Sequence, residues 1–227
     1  MDKSTINKII SYLERAENID DIIYKLVKNG YIQPLGKGSG REVYRIRNTD
    51  LVIKIAKNKK GLFQNLNTHE IYQNENSPYI EKFSVLRKEG EILLTKYIDK
   101  IDEDYFEQQT DLDFGIYAAL IEGFIKKRYL KRSYNLDNLK DKTKQDERFE
   151  EIFGLAFELL DLDRYDAKAR SEFYLDILKN EFIIETVRLI KKYNLLGEDF
   201  LVLDNFGRTD NKRLVFADFG LKINQIK

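Results

Sequence analysis

The spacing of apolar residues changes twice along the chain. Between residues 4 and 29, isoleucines and leucines recur every three or four positions, which predicts two amphipathic helices separated by a break at Asn18 to Asp21. From 35 to 98 the period falls to two, as in "REVYRI" and "LVIKIAK", which predicts a small, mainly antiparallel sheet. The helical period returns from about 104 to 193, and alternation resumes in "FLVLDNFGRTDNKRLVFADFG".

Local signals refine these boundaries. Gly30 is placed to end the second helix, and Gly197 is placed to end the helix "FIIETVRLIKKYNLLG". Within the sheet region, "NLNTHEIYQNE" predicts a helix that begins near Asn67 or Thr68. The stretch "EKFSVLRKEGEILLTKYI" predicts a hairpin that turns at Glu89-Gly90.

These patterns predict an α+β fold with two lobes. We expect a helical amino-terminal extension over 1–34, a β-rich lobe over 35–98, and a helical lobe over 99–227 that ends in a β-hairpin. The connection between the lobes is predicted near Lys96 to Asp99. A basic, polar loop is predicted at 131–148.

Composition narrows the function classes. The chain has 227 residues, of which 42% are apolar, and this argues against disorder. Lys+Arg and Asp+Glu are both 39, which argues against a general nucleic-acid or membrane binder. Without cysteine there is no thiolate metal site and no thiol nucleophile, and His69 is the only histidine that could serve a Ser-His-Asp triad. The absence of a long apolar run predicts a cytoplasmic protein.

Three glycines, Gly36, Gly38 and Gly40, lie within five positions in "LGKGSGREVYRI". The residues after them alternate as a strand, which excludes the strand-to-helix loop of dinucleotide-binding folds, and no Lys-Ser/Thr follows, which excludes a Walker loop. A glycine-rich hairpin can cover phosphates with its backbone N–H groups. It can equally be a flexible turn, so the loop alone leaves both interpretations open.

Lys54 lies in the middle of the predicted strand "LVIKIAK". A lysine at such a position either extends its ammonium group to solvent or faces a cleft and binds an anion. In the second case it needs a carboxylate partner, and the helix that follows supplies Glu70 and Glu75.

The carboxyl-terminal hairpin carries candidate metal ligands. If Asn211-Lys212 is a two-residue loop, cross-strand partners sum to 423 and Asn205 lies opposite Asp218. An amide oxygen and a carboxylate would then meet at the open end of the hairpin, which is the kind of site that Mg²⁺ prefers.

Together these features resemble the protein-kinase-like fold, and the spellings "GSGREVYRI", "VIKIAKNKKGLFQN" and "LDNFGR…LVFADFGL" resemble a small phage-encoded branch of it. The resemblance implies ATP and Mg²⁺ as cofactors. It implies that Lys54 holds the α- and β-phosphates and pairs with Glu70, and that Asn205 and Asp218 bind magnesium. The implied nucleotide-binding set is Gly36, Gly38, Gly40, Val43, Lys54, Thr95, Lys96 and Tyr97.

The chain departs from the family pattern in three places. Arg41 stands where a third loop glycine is expected. Its side chain either adds a phosphate contact or extends into solvent, and we expect the second. The catalytic aspartate should precede the metal asparagine by five positions, but Asp199 precedes Asn205 by six. Either Asp204 is the metal ligand, or a one-residue bulge brings Asp199 beside Asn205, or the base is missing. Only nine residues follow Asp218, and we therefore expect no activation segment.

The resemblance therefore implies a phosphotransferase that uses ATP and Mg²⁺ and acts on a protein, with a host-cell protein as one candidate substrate. Two alternatives stay open. One is a pseudokinase that acts through nucleotide binding or through a protein partner, for which the amino-terminal helices would offer a docking surface. The other is a nucleotidylyl transferase, in which the nucleotide binds the other way round.

Overall fold

The computed structural model describes residues 3–126 and 179–225, and the chain divides into two compact units. The first unit holds residues up to 76 together with 80–98. The second holds 77–79 and the described residues from 99 onwards. The predicted basic loop at 131–148 lies outside the described residues.

The first unit is built on an antiparallel sheet, whose strands among the described residues run in the order β1-β2-β3-β5-β4. A bulge at Leu35 shifts the register between β1 and β2. Two helices precede the sheet and a third follows β3. The elements are α1 (Lys3–Arg15), α2 (Ile19–Lys28), β1 (Ile32–Lys37), β2 (Arg41–Ile46), β3 (Leu51–Ala56), α3 (Lys59–Asn74), β4 (Ser84–Arg87) and β5 (Ile92–Lys96).

Helices α1 and α2 pack their apolar stripes on one face of this sheet. Ile9 and Leu13 of α1 belong to the same buried cluster as Tyr44, Ile53 and Leu94 of the strands. Full burial of one such aliphatic side chain contributes roughly 1.5–3 kcal/mol relative to exposure. The two helices therefore use their apolar faces inside the first unit.

Several predicted features of this unit are confirmed. Strand β2 coincides with "REVYRI", and the hairpin of β4 and β5 turns at Glu89 and Gly90, which both have positive φ. The predicted start of α3 is wrong. The helix begins at Lys59 with Asn58 as its cap, so Asn67 and Thr68 lie buried inside it. The first two turns of the helix were not predicted, because "NKKGLFQN" is polar and contains a glycine and therefore lacks a helical apolar pattern.

The described part of the second unit is helical and ends in a short hairpin. Aromatic rings of its elements pack edge to face around Phe106, which lies 5.3 Å from Phe182 and 5.5 Å from Phe206 between ring centroids. The elements are α4 (Glu103–Thr110), α5 (Phe114–Lys126), α6 (Glu181–Tyr193), β6 (Phe206–Arg208) and β7 (Leu214–Phe216), with 3₁₀ turns at Gly197–Leu201, Leu203–Asn205 and Ile223–Gln225.

Two sequence expectations about this unit are corrected. Helix α6 ends at Tyr193 rather than near Gly197, because Asn194 takes the left-handed conformation at its end. Asparagine tolerates that conformation well. The hairpin register is also one residue away from the expected one, since Phe206 pairs with Phe216 and the pairs sum to 422. Its loop has a third residue, because Lys212 adopts positive φ.

The predicted α+β fold class is confirmed by these elements. A small antiparallel sheet lies in one unit, and helices with a terminal β-hairpin form the described part of the other. Within the described residues, no helix is both long enough and apolar enough to cross a membrane.

Candidate functional site

The glycine loop joins β1 to β2. Gly36 pairs with Val43 across the bulge, and the N–H of Gly38 donates to the carbonyl oxygen of Arg41 at 2.9 Å. A Cβ at Gly36 would meet no atom within 4 Å, and one at Gly38 would meet only that carbonyl, at 3.9 Å. Packing within the first unit therefore does not require glycine at 36 or 38. It does require glycine at 40, where a Cβ would lie 2.9 Å from the backbone nitrogen of Gly61.

Arg41 does not extend into solvent as expected. Only 6% of Arg41 is exposed, and a Cβ added at Gly61 would lie 3.0 Å from the Cγ of Arg41. The side chain thus runs across the first turn of α3 directly after the glycines. A guanidinium carries its charge at any physiological pH, so the base of the loop holds a permanent positive charge.

Lys54 is buried in the middle of β3, with 8% of its surface exposed. It is paired with Val43 of β2 and with Leu93 of β5, so its side chain shares their face of the sheet. The backbone of the same residue is held by Asn65 of α3, whose Nδ2 donates to the Lys54 carbonyl oxygen at 3.4 Å. This burial removes the interpretation in which Lys54 simply extends to solvent.

The two candidate carboxylates for Lys54 lie in different surroundings. Glu70 is exposed, and at about 100° per residue it lies roughly 140° around the helix from Asn65, the α3 residue that reaches β3. Glu75, the residue directly after α3, is buried, with 6% of its surface exposed. Pairing of Lys54 with Glu70 stays a prediction, and Glu75 is the alternative carboxylate.

The residues predicted to contact adenine are the last two of β5 and the residue after it. Thr95 is buried and paired with Val52, and Lys96 forms an ion pair with Asp50. The hydrogen bond from Lys96 holds the pKa of Asp50 below its usual value. The N–H of Tyr97 donates to the Asp50 carbonyl oxygen at 2.7 Å. That N–H is therefore engaged within the first unit.

In the second unit, the structure brings Asp199 and Asn205 together. Asp199 lies in the first of two successive 3₁₀ turns and Asn205 in the second, and Nδ2 of Asn205 donates to the backbone carbonyl oxygen of Asp199 at 2.6 Å. Because that carbonyl can only accept, the amide nitrogen must face it and Oδ1 takes the other position. The extra residue between Asp199 and Asn205 is thus absorbed by the tight turns, a feature that sequence spacing alone did not reveal.

Asp204 points elsewhere. Its side chain is exposed and its Oδ1 accepts from Nζ of Lys100 at 2.9 Å. An exposed ion pair of this kind contributes little to stability. It nevertheless shows that Asp204 and Asn205 face different partners, which favours Asn205 over Asp204 as the candidate ligand.

Asp218 and Gly220 complete the cluster. Asn205 lies opposite Ala217 rather than Asp218, whose Oδ1 accepts from the N–H of Phe219 at 2.9 Å. Gly220 has no Cβ, and the space that a Cβ would fill is taken by the carboxylate of Asp199. The Asp199 carboxylate therefore lies directly on the backbone that follows Asp218.

Phe219 anchors this cluster to the core. It is fully buried, and its ring centroid lies 5.7 Å from that of Phe216 and 6.2 Å from that of Phe200. A buried aromatic ring between two polar sites restrains the backbone on either side of it. The candidate metal ligands are thus carried by a well-packed segment.

The chemistry of the cluster fits Mg²⁺. Asn205 offers an amide oxygen and Asp218 a carboxylate, and Mg²⁺ is commonly bound by one or two protein oxygens together with water and phosphate. Across residues 3–126 and 179–225, no group of three or more histidine, aspartate or glutamate side chains is placed to hold a metal ion.

No family model matches this chain, and no curated protein matches it. Among solved structures, the chain is similar to the streptomycin–ATP complex of APH(2")-IIa, with 19% identity, 91% of this chain and 73% of that chain covered, and a TM-score of 0.37. It is also similar to ADP-bound aminoglycoside phosphotransferase APH(2'')-Ib, with 22% identity, coverage of 89% and 71%, and a TM-score of 0.35. Likenesses of this size assign no substrate to this chain.

Proposed function

We propose that the protein is a phosphotransferase that uses ATP and Mg²⁺. The observation that carries the proposal is the cluster of Asp199, Asn205 and the segment from Asp218 to Gly220. The Asn205 amide is oriented by the Asp199 carbonyl oxygen, and the Asp199 carboxylate lies against Gly220, two residues after Asp218. The resemblance of the sequence to the protein-kinase-like fold supplies the roles of these residues.

In the first unit, Lys54 and the glycine loop bind the phosphates of the nucleotide. The burial of Lys54 in β3 and its pairing with Val43, next to the glycine loop, support this role. Glycine at 36 and 38 leaves the loop backbone open to close approach by phosphate oxygens. Glu70 orients Lys54 in the pattern of the family, with Glu75, the residue directly after that helix, as the alternative.

In the second unit, Oδ1 of Asn205 and the carboxylate of Asp218 would hold Mg²⁺. When bound, the ion neutralises charge on the phosphate oxygens. The hydrogen bond from Asn205 to the Asp199 carbonyl keeps the amide oxygen turned away from Asp199 and available as a ligand.

Asp199 acts on the acceptor. The oxygen of the acceptor hydroxyl attacks the γ-phosphorus, the bond from that phosphorus to the bridging oxygen breaks, and ADP leaves. Asp199 accepts the proton of the hydroxyl. Its carboxylate is held against Gly220, so its position depends on the absence of a side chain there. We propose a protein hydroxyl as acceptor, as the resemblance implies.

The experiment has two stages. Thermal denaturation is followed with ATP, with and without Mg²⁺, for the native protein and for Lys54→Met and Asp218→Ala. A ligand present at about 100 times its Kd adds about 2.7 kcal/mol, which is roughly 5–10 °C for a chain of this size. We expect a shift that requires Mg²⁺ and is lost in both variants.

The second stage follows the label. With ATP labelled at the γ-position, we expect label on the protein's own hydroxyl groups or in inorganic phosphate, and loss of both in Asp199→Asn. Label transferred from the α-position would instead identify a nucleotidylyl transferase. Binding without any transfer would identify a pseudokinase. No thermal shift at millimolar ATP would refute the proposed function.

A further inference from the structure

We propose that Asn58 and Gly61 are positioning residues that hold the glycine loop against the first turn of α3. We call this set of contacts between the loop and the start of α3 the seat. The loop is then preformed before any nucleotide binds. The consequence for nucleotide affinity rests on the proposed function, whereas the seating itself is a property of the first unit alone.

The first observation is a close approach of two glycines. A Cβ at Gly40 would lie 2.9 Å from the backbone nitrogen of Gly61, and a Cβ at Gly61 would overlap the carbonyl oxygen of Gly40. Backbone meets backbone here, so neither neighbour can move aside as a flexible side chain would. Glycine at 61 is needed by this contact and not by its helix, where glycine is unfavourable.

The second observation is the double role of Asn58. Its Oδ1 accepts from the N–H of Gly61 at 3.1 Å and so caps the start of α3. Its Nδ2 donates to the carbonyl oxygen of Ser39 at 2.9 Å, in the middle of the glycine loop. One amide therefore joins the helix to the loop.

Two further contacts reinforce the seat. The N–H of Lys57 donates to the carbonyl oxygen of Gly40 at 2.8 Å, and Nζ of Lys60 donates to Oγ of Ser39 at 2.8 Å. Both ends of the Ser39-Gly40 segment are therefore bonded to the residues around the start of α3.

The seat also aligns the loop with Lys54. Asn65, one turn after Gly61 on the same helix, donates to the Lys54 carbonyl oxygen. One rigid helix thus positions both candidate phosphate-binding elements of the first unit. A loop held in its bound position loses less conformational freedom on binding, so its ligand binds more tightly.

Asn58→Ser is the variant that separates loop from helix. Serine caps helices about as well as asparagine, but its hydroxyl is too short to keep the cap and also reach Ser39. Gly61→Ala is the steric variant. Lys60→Met removes the contact to the Ser39 hydroxyl, and Lys59→Met, next to it and also exposed, is the matched control for the loss of one charge.

Amide hydrogen exchange of the nucleotide-free protein tests the seat directly. In Asn58→Ser we expect the Lys57 amide to exchange at least about tenfold faster, while the Ile53 amide in β3 keeps its rate. Unchanged exchange at Lys57 in both Asn58→Ser and Gly61→Ala would overturn the proposal. This result does not depend on whether the protein binds ATP.

Binding of Mg·ATP and of adenosine then tests the consequence. We expect the Kd for Mg·ATP to rise about tenfold in Asn58→Ser, with the Kd for adenosine unchanged and Lys59→Met like the native protein. Equal weakening of both ligands would mean a general structural role and would overturn the positioning role. A native protein that binds neither ligand refutes the proposed function, and the exchange rates still decide the seat.

Discussion

The contact between Gly220 and Asp199 gives a prediction that does not depend on the proposed activity. Replacing Gly220 by alanine places a methyl group on the Asp199 carboxylate. The new Cβ would overlap Oδ2 and Cγ of Asp199 and would lie 2.8 Å from its Oδ1. Gly220 does not have positive φ, so the backbone tolerates alanine and the steric conflict is the main cost.

The size of the effect follows from overpacking. Inserting a methyl group into a filled space costs about 1–3 kcal/mol. For a chain of this length, we expect the midpoint of thermal unfolding to fall by roughly 2–12 °C. Asp199→Ala removes the group that conflicts with the new methyl. The double variant should therefore be more stable than the sum of the two single changes predicts, by about 1–3 kcal/mol.

The assay is thermal unfolding followed by circular dichroism for the four members of the cycle. Gly36→Ala is the matched control, since its new methyl group meets nothing within 4 Å and its φ is also ordinary. We expect that control to change stability by less than about 1 kcal/mol. Additive effects of Gly220→Ala and Asp199→Ala would refute the placement of the Asp199 carboxylate against Gly220, and with it the geometry of the candidate site.

Three further predictions concern stability. Burial lowers the pKa of His69, so on acidification the unfolded chain binds a proton before the folded chain does. The midpoint of thermal unfolding should therefore fall between about pH 7.5 and pH 5.5, and it should fall more in the native protein than in His69→Asn. Lys96 lowers the pKa of Asp50, so the ion pair stabilises the fold at pH values above the ordinary carboxyl pKa. That stabilisation is lost as the pH falls through the pKa of Asp50 in the folded protein. In Asp50→Asn, the midpoint of thermal unfolding should therefore depend less on pH in the acidic range. Thr186→Val leaves the buried hydroxyl of Tyr117 without its 3.4 Å partner and should cost about 1–3 kcal/mol in urea unfolding, most of it regained when Tyr117→Phe is added.

Much of the architecture could be read from periodicity. Strands β2 and β3 and the turn at Gly90 appeared where alternation and turn residues placed them, because the two faces of a half-buried strand differ in polarity along the chain. The start of α3 could not be read in this way. Gly61 is unfavourable in a helix, and only its contact with Gly40, 21 residues away, explains it.

For the candidate site residues, the sequence predicted which residues matter but not which atoms surround them. Lys54, Asn205 and Asp218 stood out in the sequence because a charged or polar group interrupts a strand or follows one. Their surroundings depended on contacts that no local pattern contains. The hairpin loop has three residues rather than two, which moves Asn205 opposite Ala217, and the 3₁₀ turns bring Asp199 back to Asn205.

The sequence by itself determined the alternation of helices and strands, the short list of polar residues with chemical potential, and the exclusion of thiol and disulfide chemistry. The tertiary structure decided that Arg41 is buried, that Asp204 faces Lys100, and that the Asp199 carboxylate occupies the space above Gly220. The physical reason is that periodicity reports which side of an element is buried, whereas the atoms that meet there are set by packing between elements distant in the chain.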